Sequence, residues 1–182
     1  MSSVYLARQP IVCIKETLEA YEILYVDANK KSDISKNRYA SASVINSVLN
    51  TFGTKNFLGQ HKAFIKVDER FLMSDLIKTV PSDLFTLCLF DDIVLNEKVM
   101  ERIEQLHDIG FSLAINDTEL NKENILKYKK IMDKLSYFKI NIYADMGIED
   151  KDFIVALQDH NVKVIATKIE DEDQYQTAKD LE

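Results

Sequence analysis

The residues able to do chemistry fall at the ends of apolar runs and are mostly oxygen and ammonium groups. Glu22 sits inside Tyr21-Glu22-Ile23-Leu24, and Lys66 inside Phe64-Ile65-Lys66-Val67-Asp68. Asp91-Asp92 and Asn116-Asp117 follow two further runs. Lys139 and Asn141 share another, and Thr167, Lys168 and Glu170 close the last. Carboxylates gathered at one sheet mouth would hold a hard divalent cation, which needs several anionic oxygens. Here amides and lysines interrupt the series. An amide keeps the shape of a carboxylate but loses its charge, and an ammonium repels a cation outright.

Each position also has a structural reading. Glu22 on a strand serves as an ion-pair residue, and Lys139 is a buried partner for Glu22 or Asp117. Lys66 pairs with Asp91 or Asp117. Asp91-Asp92 and Asn116-Asp117 serve as turn formers or helix caps, a common duty for Asp and Asn after strands. His61, His107 and His160 are scattered, without the spacing of a metal site. Cys13 and Cys88 lie in separate apolar runs, offer no CxxC pair, and read as small buried hydrophobes. Gly53, Gly59, Gly110 and Gly147 are isolated, so no glycine-rich loop cradles phosphate.

The elements that must position these groups are seven apolar runs. They are Val4–Ile14, Leu18–Val26, Ala63–Val67, Leu84–Phe90, Phe111–Ile115, Tyr137–Ile142 and Val162–Ala166. Most are continuous rather than alternating, as in strands buried on both faces. Helical stripes lie between them. Val44, Ile45, Val48, Leu49 and Phe52 form one, closed by Gly53; Val99, Met100, Ile103 and Leu106 form another, ended by Gly110. Ile125, Tyr128, Ile131 and Met132 form a third, and Phe153, Ile154 and Leu157 a fourth. From Ala63 onward one helix fills each gap, the rhythm of βα units with parallel strands. Only Lys15 to Thr17 separate the first two runs, which makes that pair an antiparallel hairpin.

The expected fold is therefore α/β, a TIM-barrel-like (β/α) fold with an antiparallel first strand pair. Residues 1–182 read as one domain without an internal boundary. A full barrel usually takes about 250 residues, so the chain reads as open, or as a fragment stopping before the last strand. Net charge is −7, which supplies no long-range attraction for nucleic acid. The basic clusters, Lys30-Lys31 and Lys127 to Lys130, are short, and the second reads as a solvated helix face. No apolar run approaches the ~18–20 residues of a membrane span. With no signal peptide in MSSVYLARQPIVCIK, the expected location is cytoplasmic.

Ala7-Arg8-Gln9-Pro10-Ile11-Val12, followed by Tyr21-Glu22-Ile23-Leu24-Tyr25, resembles the opening of an EAL domain, the cyclic di-GMP phosphodiesterase family. The ARQPI wording and later spacing are most similar to the EAL domain that precedes an HDOD domain in bacterial signalling proteins. The resemblance runs from Tyr5 to Glu170. It implies a carboxylate-rich barrel mouth holding Mg²⁺ or Mn²⁺ against a phosphodiester. It makes Glu22 the signature glutamate, with Ile23 in place of alanine and Val26 in place of a phosphate-contacting arginine. Lys66 stands for an asparagine, Asp91 for a glutamate, and Asn116-Asp117 for paired aspartates. Thr118-Glu119-Leu120-Asn121 replaces a phenylalanine- and glycine-rich stretch. Lys139 matches, Asn141 stands for an aspartate, Thr167 for a glutamate and Lys168 for a glycine, while Glu170 matches. The implied eighth strand and its glutamine lie past Glu182.

Taken together, these letters describe vestigial positions of an inactive relative, without metal or other cofactor. The expected function is a regulatory module that works through a protein partner, a following HDOD domain or a second copy of itself. Binding of cyclic di-GMP without hydrolysis, and weak residual phosphodiesterase activity through Glu22, Asp91, Asp117 and Glu170, are the alternatives. Loss of the arginine at Val26 and the acidic balance weigh against cyclic di-GMP.

Overall fold

A computed structural model describes residues 4–27, 32–33, 40–143 and 146–181. Contacts group the chain into two compact units, Met1–Leu89 and Phe90–Glu182. All seven expected strands are present, with boundaries moved by up to three residues. The Lys30-Lys31 cluster lies outside the described residues.

The first unit opens with β1 (Val4–Val12) and β2 (Leu18–Asp27), paired antiparallel as the short spacing requires. Their connection turns through Glu16 at φ 60°, and Cys13 and Thr17 close it by backbone and side chain. Cys13 is thus a half-exposed turn residue rather than a buried hydrophobe, whereas Cys88 is fully buried as expected. A two-residue strand, β3 (Ser32–Asp33), pairs with β2. Then come α1 (Ala40–Asn46), continued by a π-turn over Ser47–Phe52, and α2 (Thr54–Leu58). Gly53 joins them at φ 74°, a conformation open to glycine. Strand β4 (Lys62–Val67), the short α3 (Glu69–Met73) and β5 (Phe85–Leu89) complete the unit. The strand order is β1-β2-β4-β5, and both later pairings are parallel. Arg8 of β1 lies 4.6 Å over the Tyr21 ring and donates to the Phe57 carbonyl, which ties the hairpin to α2.

The second unit alternates regularly. It runs α4 (Glu97–Asp108), β6 (Ser112–Thr118), α5 (Lys122–Tyr128), β7 (Tyr137–Asn141), α6 (Ile148–Asp159), β8 (Lys163–Thr167) and α7 (Glu172–Asp180). The β6–β7 and β7–β8 pairs are parallel, with an irregularity in β6 between Ile115 and Thr118. Helix starts follow local chemistry. The side chains of Asn96, Asn121 and Asp171 accept from the amides of Val99, Asn124 and Gln174 and so cap α4, α5 and α7. Gly110 at φ 93° ends α4 where the sequence placed a stop.

Burial follows the apolar pattern. Every residue of β5 is buried, as are Ile125, Tyr128, Ile131 and Met132 of the third stripe and Phe153, Ile154 and Leu157 of the fourth. Phe138 of β7 meets Tyr128 at 5.2 Å and Phe153 at 5.4 Å, both edge to face, so one ring joins two helices to the sheet. Among the described residues no helix is long and apolar enough to cross a membrane. Phe138→Ala should cost about 3–5 kcal/mol in urea unfolding, because it removes two ring contacts and leaves a cavity. Leu126→Ala, on the open face of α5, should stay within ~0.5 kcal/mol.

Candidate functional site

In the first unit the site is set by strand register. Glu22 stands beside Phe64, and Phe64 beside Thr86; two residues on, Lys66 stands beside Cys88. The two-residue period of strands puts Glu22, Phe64, Lys66, Thr86 and Cys88 on one face. There the Lys66 ammonium approaches the Glu22 carboxylate at 3.5 Å, with their side chains 11% and 9% exposed. Glu22 is thus the ion-pair residue of its structural reading, and the partner described for Lys66 is Glu22, where the sequence pointed to Asp91 or Asp117. Val26, in the position of the implied arginine, is buried and apolar.

In the second unit Lys139 is 2% exposed and donates to Asn116 Oδ1 at 3.0 Å. Asn141 and Thr167 are register neighbours. The Thr167 hydroxyl lies 2.8 Å from Asn141 Oδ1 and 3.1 Å from the Ile140 carbonyl. Asn116 and Asn141 are both buried. Three of the positions where the resemblance implies carboxylates, Asn116, Asn141 and Thr167, are therefore neutral and hydrogen-bonded, the first of them to a buried lysine. Asp117 lies in β6, and its side chain is outside the described residues. Glu170 is exposed, and its backbone amide donates to Gln174 just before the Asp171 cap.

Asp91 departs most from a ligand's role. It is exposed in the turn after Phe90, and its backbone carbonyl accepts from Lys127 Nζ at 2.6 Å and from the Tyr128 hydroxyl at 2.9 Å. Hence the Lys127 to Lys130 stretch is more than a solvated face: Tyr128 is fully buried and Lys127 bridges to the turn. Burial lowers the Lys127 ammonium below its usual range, partly offset by Asp91 and Asp92. Burial also pushes the Tyr128 phenol up to about 12.

A cleft of ≈ 360 Å³ is lined by Glu119, Leu120, Asn141, Ile142, Tyr143 and Lys168. Tyr143 donates to Asp150 at 2.8 Å; burial and that carboxylate raise its phenol to about 12. Lys168 takes φ 56°, a left-handed conformation costly for a residue with a Cβ, at the position where the resemblance implies glycine. Sequence reasoning met Leu120 only within the stretch that replaces the phenylalanine- and glycine-rich one, and passed over Tyr143, a loop residue that carries no spacing signal. Among the described residues, no group of three or more His, Cys, Asp or Glu side chains gathers to hold one metal ion.

No family model matches the chain. It is 25% identical over 178 residues to the uncharacterized protein YuxH of Bacillus subtilis, covering 96% of this chain and 43% of that protein. It is 25% identical over 187 residues to the cyclic di-GMP phosphodiesterase CdgJ of Vibrio cholerae, covering 98% and 41%. The chain thus spans about two fifths of the length of these curated relatives. Among solved structures it matches the Bacillus subtilis YkuI protein, which has an EAL domain and was solved with cyclic di-GMP and calcium. The TM-score is 0.70 at 14% identity, over 98% of this chain and 52% of that one. It also matches the S helix-GGDEF-EAL part of Vibrio cholerae LapD, with TM-score 0.70 bound to cyclic di-GMP and 0.71 apo. Identity is 12% in both cases, over 98% of this chain and 50% of that one. The fold is that of these EAL domains: TIM-barrel-like, with an antiparallel first strand pair.

The Tyr128 phenol makes a pH test of the Asp91 turn. Its folded pKa is about 12 against an ordinary 10.0, so the unfolded chain ionises first. The associated stability is intact below pH ~10 and is lost as pH rises toward ~12, a difference of up to about 3 kcal/mol. Denaturant melts of wild type and Tyr128→Phe between pH 9 and 12 should show a shallower alkaline loss in the variant.

Proposed function

We propose that this chain is a non-catalytic regulatory module of the EAL type. Its work is contact with protein: a following HDOD domain, a separate partner or a second copy of itself. The observation that carries this reading is the row Asn116, Lys139, Asn141 and Thr167. Buried amides and a hydroxyl satisfy one another and a lysine there. A phosphodiesterase that works through a metal needs negative oxygens in such a row to bind the cation and activate water. Strand register and core packing are retained while neutral groups stand at three of the implied carboxylate positions, which suits a scaffold whose outer surface does the work. Cytoplasmic residence belongs to the same reading.

Incubation of this chain with cyclic di-GMP and Mn²⁺, followed by chromatography, should show no loss of the dinucleotide above buffer, with CdgJ as the positive control. Turnover that disappears in Glu22→Gln would end the reading. Size-exclusion chromatography and pull-down in the context of the whole protein should show a partner, an interdomain contact or self-association; absence of all three counts against it.

A second reading is cyclic di-GMP binding without hydrolysis. It is favoured by the fold match to YkuI and LapD, both solved with that ligand. Buried Val26 opposes it, since phosphates are best held by guanidinium forks. Titration calorimetry decides between them: heat saturating at micromolar ligand supports the receptor, and its absence removes it.

A further inference from the structure

A divalent cation at the glutamate of the second long strand is what the EAL fold implies, and the donor set around Glu22 does not fit one. The nearest described side chains in register on that face are Gln9 of β1, Phe64 and Lys66 of β4, and Thr86 and Cys88 of β5. They contribute one exposed amide, one hydroxyl, one soft thiol, an aromatic ring and an ammonium, and none of them is a carboxylate. A hard cation needs several oxygen ligands, with carboxylates supplying most of the charge. Phe64 fills the register position next to Glu22, and Lys66 already brings a positive charge to the carboxylate at 3.5 Å.

We infer that Lys66 is a resident counter-ion: its ammonium does for Glu22 what a metal ion would do, and it bars a metal from that position. The inference deepens the non-catalytic reading and rests on it for the implied cation. The physical argument is one of charge. A carboxylate this buried needs a cation, because desolvation without one is costly. An ammonium on a strand neighbour supplies it permanently, at a fixed distance, whatever the ionic composition outside. A dication entering beside it would meet a like charge in a poorly screened setting, where repulsion is strong. Lysine suits the role because its compact charge ends a flexible stem that can reach across one strand spacing.

The consequence is a chain indifferent to divalent metal. Two measurements on the full 182-residue chain test it: Mn²⁺ titration followed by the electron paramagnetic resonance of free Mn²⁺, and thermal melts in Mn²⁺ or EDTA. Wild type should show no saturable site attributable to Glu22 and the same melting temperature in both buffers. Lys66→Asn removes the ammonium and adds an oxygen donor, and it should bind Mn²⁺ at least ~10-fold more tightly than wild type. That gain should vanish in Glu22→Gln/Lys66→Asn. Lys66→Gln, of closer length, uncharged and carrying an amide oxygen, reads the same gain if the asparagine variant folds poorly.

Saturable Mn²⁺ binding to wild type that is lost in Glu22→Gln would overturn the inference, as would variants that bind no better than wild type. These outcomes separate from those of the functional reading. Metal binding without turnover sinks the counter-ion and leaves the regulatory module standing. Turnover of cyclic di-GMP in EDTA does the reverse.

Discussion

Two ammonium groups buried in β-sheet, one in each unit, are the constraint on which the polar positions around them depend. Lys139 is 2% exposed, and the Lys66 side chain is 11% exposed. A lysine taken out of water must keep oxygen atoms around its ammonium or give up its proton. A strand offers those oxygens only from positions on the same face, within one or two strand spacings. Register therefore becomes an electrostatic matter. In the first unit the β2–β4 alignment puts Glu22 and Lys66 on one face. In the second the Asn116 side chain on β6 meets Lys139 of β7. A one-residue slip in either sheet would turn the partners to opposite faces and leave a charge buried alone.

The same constraint explains why so much of the architecture was legible from the residues and why the pairings were not. Continuous apolar runs such as Leu87–Phe90 and Leu113–Ile115 can scarcely be anything but strands covered on both sides. Asn96, Asn121 and Asp171 mark helix starts with a mechanism visible in the letters. Partner choice is another matter. Lys66 looked equally able to meet Asp91 or Asp117, because strand order alone does not say which carboxylate shares its face. Tyr128 shows the limit from the other side. Its place in an apolar stripe predicted burial correctly, yet the acceptor for its hydroxyl is a backbone carbonyl 37 residues earlier. A backbone atom leaves no mark on the sequence.

Local backbone geometry supplies a third kind of misreading. Cys13 sits at the end of an apolar run, so composition made it a core residue. The hairpin instead requires a turn there, and Cys13 and Thr17 close it with their backbone and side chains. The bond with Thr17 also holds the thiol below its usual pKa, a consequence of the turn and not of any site. Lys168 is the converse case. Its φ of 56° keeps a left-handed bend at the end of β8 although a side chain has to be carried through it. The bend belongs to the backbone path from β8 into α7, where the capping bonds of Asp171 and Gln174 take over.

A metal site and a polar core impose opposite demands on the same strand positions. The first needs oxygens left unsatisfied by the protein, so that the ion completes them; the second needs every donor and acceptor matched internally. Asn116, Asn141 and Thr167 answer to the second demand in the oxygens they match, since each has a short bond to a neighbour on the adjacent strand. Fully matched networks of this kind rigidify a sheet, whereas partly matched ones are costly. Loss of carboxylates thus need not weaken the fold. Amide and hydroxyl substitutions let the strands bind one another through groups that would otherwise wait for an ion.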